Sequence, residues 1–277
     1  MQCAATEARV HQDILNGVMV GFLAQSIDGA LGMGYGVTST TFLLSIGFPP
    51  SVASACVHTA EVCTTGVSGL SHVAAGNVNK DLFRRLVVPG VVGGVLGAYV
   101  LTCAPAELMR PLVSVYLLIM GIVIVRKAIF KKRAAKPIEK LAPLGLAGGF
   151  LDAVGGGGWG PVVTSTLVAN GHYEPNEAIG SVNTAEFFVT LATAAAFFAT
   201  LGQIDLGIIS GLIIGGILAA PFAAFTCKLL PPRALTALVG ALIVVLSVRS
   251  ISAFAASPIV ASTINHALGY KSSTPNM

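Results

Sequence analysis

Four acidic side chains, Asp28, Glu61, Asp152 and Glu186, stand in stretches otherwise dominated by Ala, Val, Leu, Gly and Thr. A charged group at the centre of a bilayer costs at least about 2.5 kcal/mol on insertion scales, so each needs a reason to be there. Two chemistries suit them: taking up and releasing a proton, or accepting hydrogen bonds from backbone amides that lack helical partners. Glu61 closes the run Val57-His-Thr-Ala-Glu61 and Glu186 closes Val182-Asn-Thr-Ala-Glu186. His58 shares a helical face with Glu61, where it would tune that carboxyl, meet an anion when protonated, or simply pack. Thr59, Asn183 and Thr184 are uncharged donors beside the same acids.

Hydroxyl runs follow two glycine clusters: Thr38-Ser39-Thr40 after Gly34-Tyr-Gly36, and Thr164-Ser165-Thr166 after Gly157-Gly158-Trp159-Gly160. An anion entering a bilayer must replace its hydration shell. Free amides at a helix start and adjacent hydroxyls do this without a full charge. Glycine lets the backbone approach the ion, and Trp159, the only tryptophan, would wall the site or donate its indole N–H. Close helix packing is the competing use of the same small residues. The cysteines Cys3, Cys56, Cys63, Cys103 and Cys227 form no CxxC pair and read as small packing residues. His11, His72, His172 and His266 fall near span ends or in loops and carry no functional expectation. His58, Glu61, Glu186 and the cysteines are competent metal ligands, but no spacing gathers them, so neither metal nor cofactor is expected. Nucleophile–base pairings and an HExxH run are absent from the sequence, which argues against an enzyme.

The elements that must position these residues follow from composition. Apolar residues make up 54% of the chain and charged residues 10%, against roughly 25% charged in an ordinary soluble domain, so lipid is the expected solvent. Apolar runs of spanning length fall at about 51–74, 86–103, 106–126, 178–201, 207–227 and 233–254. Two further apolar regions, 14–47 and 142–170, are interrupted by Asp28–Gly36 and Gly155–Pro161. Each is expected to form two short helical arms of about 11–17 residues around a turn. The amino terminus shows no basic segment followed by an apolar run and a cleavage site.

The net charge of +4 does not read as nucleic-acid affinity, because seven of the sixteen basic residues crowd between Arg126 and Lys140. That loop is expected on the cytoplasmic side, with Lys80, Arg84 and Arg85. The broken regions are either re-entrant hairpins or discontinuous helices that cross. Hairpins put Lys228 and Arg233 inside and the loop at Gly202–Asp205, which has no Lys or Arg, outside, so the charge pattern favours them.

The two halves overlay with an offset of about 125 residues. Gly34–Thr40 matches Gly160–Thr166, Val57–Glu61 matches Val182–Glu186, and Gly76–Asn79 resembles Gly202–Asp205. With three full spans per half, the second copy would be inserted upside down. The expected fold class is an all-α polytopic membrane protein, an inverted repeat of two halves, each a re-entrant hairpin plus three transmembrane helices. One membrane domain uses the chain: half one at about 12–126, a cytoplasmic basic loop 127–141, half two at about 142–254 and a polar tail 255–277.

Gly149-Phe-Leu-Asp-Ala-Val-Gly-Gly-Gly-Gly-Trp-Gly-Pro161 followed by Ile179-Gly-Ser-Val-Asn-Thr-Ala-Glu-Phe-Phe188 resembles the sulfite exporter TauE/SafE family over nearly the whole chain. The resemblance implies a multi-pass transporter in the cell membrane, the inner membrane of a bacterium, for sulfite, a sulfonate such as sulfoacetate, thiosulfate or another organosulfur anion. Export by a secondary mechanism is implied, with lipid and a small anion as partners. The first half departs from the glycine run at Leu31, Met33 and Tyr35, and His58 stands where the second half has Asn183. An anion channel and a metal-cation permease are the competing functions.

Overall fold

The computed structural model describes residues 2–31, 33–130, 140–170, 172–202, 205–229 and 232–256. The expectations for Lys131, Lys132, Arg133 and Lys136, and for the tail 257–277 with His266, lie outside the described residues.

Helices α1 (Gln2–Leu31), α2 (Tyr35–Ser45), α3 (Pro50–Ala74), α4 (Lys80–Cys103) and α5 (Ala106–Ile129) come first. They are followed by α6 (Leu141–Gly155), a π-helical turn (Trp159–Thr164) running into α7 (Ser165–Asn170), then α8 (Pro175–Leu201), α9 (Leu206–Leu229) and α10 (Pro232–Ala255). The six expected spans correspond to α3, α4, α5, α8, α9 and α10. Local chemistry sets their starts. Pro50 and Pro175 open α3 and α8, where a missing amide costs nothing. Asn79 caps α4 by accepting from the amides of Asp81 and Leu82, each at 3.1 Å.

Two expectations need correction. The arm before the first turn is 30 residues long rather than 11–17, because the helix starts at Gln2, well before the apolar region, and the single glycines Gly17, Gly21 and Gly29 do not interrupt it. The arm after the second turn opens as a π turn, which the sequence reading did not anticipate; Pro161 within it has no amide to give.

Among the described residues, four helical segments are long and apolar enough to cross a membrane: Lys80–Cys103, Ala106–Ile129, Asn176–Leu201 and Thr236–Ala255. Large apolar side chains such as Leu70, Val88, Ile119, Leu206 and Ile217 are exposed, as a lipid-facing surface requires. The protein is a multi-pass, all-α membrane protein.

Lipid tails are as apolar as leucine, so helices associate here through close backbone approach. Gly17 and Gly21 of α1 lie against Ile208, Gly211 and Leu212 of α9, and these helices run parallel. Gly149 of α6 meets the carbonyl of Gly90 in α4, and Gly97 of α4 meets that of Phe150, again in parallel. α3 and α8 run antiparallel: Asn183 donates to Ser68 at 3.1 Å, and Thr65 lies 3.4 Å from Thr190. α5 and α10 are also antiparallel, with Ser114 and Ser250 at 2.9 Å and Gly121 against Val244. A Cβ at Gly97 would stand 2.7 Å from the Phe150 carbonyl oxygen. Gly97→Leu is therefore expected to destabilise the α4–α6 pair by about 1–3 kcal/mol. An unchanged melting temperature of the detergent-solubilised variant would contradict that packing.

The same contacts establish two hairpins. α3 runs parallel to α9, with Cys56 near Asp205 and Thr64 near Gly216, so α1 and α3 are parallel too. α2 begins beside Glu61, midway along α3, and ends just before Pro50, so it folds back between them. In the second half α4 lies parallel to α8, Gly90 meeting Val189 and Gly94 meeting Thr193, and α6 shares their direction. The chain turns at Trp159, beside Val182, and returns through α7 to the start of α8. A helix that crossed in one direction would instead leave α1 opposed to α3.

Candidate functional site

The two hairpin tips meet backbone to backbone. Gly36 abuts Gly156, leaving no room for a Cβ on either, and Gly160 lies against Met33 and Gly34. Gly34 (φ 119°) and Gly156 (φ 68°) make the turns in a conformation that L side chains avoid. Each turn is then held by an aspartate. Asp28 Oδ1 accepts the amide of Tyr35 at 3.2 Å, and Asp152 Oδ1 accepts those of Gly158 and Trp159 at 3.1 and 3.0 Å. Of the roles open to these two acids in the sequence, capping is the one their Oδ1 atoms perform.

A cavity of about 260 Å³ lies where the tips converge and extends to His72 and Ile179, near the ends of α3 and α8 that adjoin the basic start of α4. Of the sequence-predicted residues, Asp28, Gly34, Gly36, Glu61, Gly160, Thr164, Asn183 and Glu186 line it. Gln25, Tyr35, Thr64, Thr65, Ser68 and His72 line it as well and were not singled out by the sequence. A signal for the last four was present: they follow Glu61 by 3, 4, 7 and 11 residues, the spacing of one helical face. His72, read from the sequence as an interfacial residue, is at the cavity wall. No Lys or Arg lines the cavity among the described residues.

The remaining predicted residues lie outside it. Trp159 is fully buried in an apolar cluster with Val163, Val182 and Val189, and its indole N–H is donated to the Val182 carbonyl at 3.0 Å. It packs the hairpin and walls no site. Gly157 lies beside the Tyr116 hydroxyl, and Gly158 against the Gly148 carbonyl. Ser165 donates to the Pro161 carbonyl and accepts from Lys127 Nζ at 2.6 Å, while the same ammonium reaches the Pro161 carbonyl at 2.9 Å. Lys127 thus ties the π turn to the end of α5, a role its place in a basic cluster concealed. Thr166 is half-buried and does not border the cavity. Thr38, Ser39 and Thr40 are buried behind the first tip, their hydroxyls without a protein partner. Thr59 and Thr184 bond back to the Ala55 and Gly180 carbonyls of their own helices.

His58 is buried against the second hairpin. Its Nδ1 is 2.8 Å from the Ser54 carbonyl, its Nε2 is 3.4 Å from Asp152 Oδ2, and the Ser54 hydroxyl donates to the Ala153 carbonyl at 2.5 Å. Glu61 and Glu186 differ from the two aspartates in facing the cavity without capping a turn.

A shell of apolar helices around two opposed hairpins, with a small polar cavity at their tips, has the form of a membrane transporter. The chain belongs to the sulfite exporter TauE/SafE family, whose profile matches residues 17–250. It is similar to the probable membrane transporter protein YtnM of Bacillus subtilis (strain 168), with 41% identity over 241 residues covering 84% of this chain and 80% of the relative. No solved structure matches it.

Proposed function

We propose that the protein is a secondary carrier for sulfite or a related organosulfur anion, moving it outward by alternating access of two inverted halves. The observation that carries this reading is the cavity at the hairpin tips. Its volume, about 260 Å³, lies just below the roughly 300–1,000 Å³ of drug-sized sites and suits a small ion with a few waters. The cavity reaches His72 and Ile179, on the side of Lys80, Arg84, Arg85 and Arg126, which the positive-inside rule makes cytoplasmic. Substrate would therefore load from within.

The helix pairing supports the inverted arrangement. α3 pairs antiparallel with its counterpart α8, and α5 with α10, while each hairpin's first arm packs on the second span of the other half. Motion of one half against the other would close the cavity on one side and open it on the opposite side. Donors for the anion come from the Ser68 hydroxyl and the second amide hydrogen of Asn183, whose first is given to Ser68. The hydroxyls of Thr64, Thr65 and Thr164 bond back to the Glu61 and Trp159 carbonyls and would have to turn to join them.

Counterflow in proteoliposomes tests the reading. Internal unlabelled sulfite or sulfonate should accelerate entry of labelled substrate. A flux that does not respond to substrate on the far side would identify a channel and overturn the carrier.

Three carboxyls line a cavity meant for an anion, so charge must be neutralised when the anion binds. Protonation of Glu186 would do part of this and couple transport to protons. Uptake should then rise as the pH on the loading side falls, and Glu186→Gln, locked in the neutral form, should flatten that dependence. A pH profile identical to wild type would remove Glu186 from the coupling.

A further inference from the structure

Protonation of Glu186 leaves the charge at the inner end of the cavity unexplained. There Glu61 faces inward, with Asp152 behind it and no cavity-lining Lys or Arg among the described residues. We propose that His58, Glu61 and Asp152 bind a first-row divalent transition-metal cation, which supplies the counter-charge that the carrier reading of this cavity requires.

The three residues come from two places in the chain. His58 and Glu61 share one face of α3, and Asp152 arrives on α6, held there by the hairpin it caps. The sequence spacing hid the group because its third member lies far along the chain. Their ligand atoms all fall within 4.8 Å of one another. The residues are 0%, 4% and 3% exposed, and His58 Nε2, Glu61 Oε2 and Asp152 Oδ2 have no hydrogen-bond partner. Buried polar atoms are almost always satisfied, and one cation would satisfy an imidazole nitrogen and two carboxylates gathered this closely.

The surrounding bonds orient each ligand. A carbonyl oxygen can only accept, so the Ser54 carbonyl fixes the His58 hydrogen on Nδ1 and leaves the Nε2 lone pair aimed at the cluster. An imidazole whose second nitrogen donates to a backbone carbonyl is the usual support of a metal-bound histidine. Asp152 has the same division of labour: Oδ1 takes two amides and Oδ2 is left over.

The 3.4 Å between His58 Nε2 and Asp152 Oδ2 is longer than the roughly 2.7–2.9 Å of a charge-assisted hydrogen bond. That one edge is close to the roughly 3.3 Å of a tetrahedral site with bonds of about 2.0–2.1 Å, and the group as a whole, spread over up to 4.8 Å, would draw together around the ion. One imidazole nitrogen with two carboxylates suits Zn²⁺, Co²⁺ or Mn²⁺ better than the all-oxygen ions. Two carboxylates with a neutral imidazole carry two negative charges, which such an ion cancels. Glu61 also lines the cavity, so a cation held here would present positive charge to an oxyanion beside it.

Titration of chelator-stripped, detergent-purified protein with Co²⁺ tests the proposal. One equivalent should bind, with the intense visible ligand-field bands of four-coordinate cobalt, and Zn²⁺ should bleach them. His58→Gln should weaken binding at least about tenfold. Glu186→Gln, in the cavity but outside the cluster, should leave the spectrum unchanged. Absence of the bands in the wild-type protein, or equal affinity in His58→Gln, would overturn the site. If sulfite still raised the melting temperature of that metal-free protein, the carrier reading would stand without the metal. Cobalt binding with no response to any sulfur anion would keep the metal site and defeat the substrate assignment.

Discussion

Gly156→Ala is expected to abolish transport and to lower the melting temperature more than any other single methyl added at a glycine turn. Two costs combine at this position. The residue sits at φ 68°, where a Cβ costs about 1–2 kcal/mol. The added methyl would also fall on the backbone of Gly36, with Thr40 Oγ1 only 2.8 Å away. Backbone cannot rotate aside as a side chain does, so the two tips must separate. Overpacking of this kind costs about 1–3 kcal/mol or more. Separation would also open the inner end of the cavity, which an alternating-access carrier, as proposed, would need closed. Gly202→Ala is the matching control, since Gly202 has φ 71° with nothing within 4 Å. It should carry the conformational cost alone and keep its transport. Equal melting temperatures and equal fluxes for the two variants would show that tip contact is immaterial.

Much of this architecture was legible because its causes are local. Long apolar runs gave six long helices, four with segments apolar enough to cross a membrane among the described residues, and glycine clusters gave the breaks within Asp28–Gly36 and Gly155–Pro161. The direction of the chain through those breaks was carried by a handful of lysines and arginines, and the observed helix pairing agrees with the hairpin reading they favoured. Features that depend on distant partners were hidden. Trp159 drew attention as the only tryptophan, yet its ring occupies the space that Gly90 leaves open, and the indole serves as packing. Ser165 was read as a ligand donor but is engaged by Lys127, which the sequence marked only as an orientation signal. Thr64, Thr65, Ser68 and His72 were recoverable by continuing the face of Glu61 along α3. The approach of Asp152 to His58 was not, because nothing in either residue's neighbourhood encodes the other.

Asp152→Ala is expected to be the most damaging loss of a single polar group, and the reason separates structure from charge. Oδ1 is the acceptor for the amides of Gly158 and Trp159, both buried. Leaving a buried donor unsatisfied costs about 1–3 kcal/mol, so two of them threaten several kcal/mol of a marginal stability. The π turn behind them depends on the same geometry, and the variant should lose its cooperative melting transition or its yield. Asp28→Ala frees only the Tyr35 amide and should be milder by about half. Asp152→Asn retains a carbonyl oxygen that can accept both amides while removing the negative charge beside His58. It should therefore melt close to wild type, yet lose transport through the altered charge next to the cavity. Thermal denaturation and counterflow on the three variants distinguish the causes. If Asp152→Asn unfolds as readily as Asp152→Ala, the carboxylate charge beside His58 rather than the hairpin cap holds this part of the fold together.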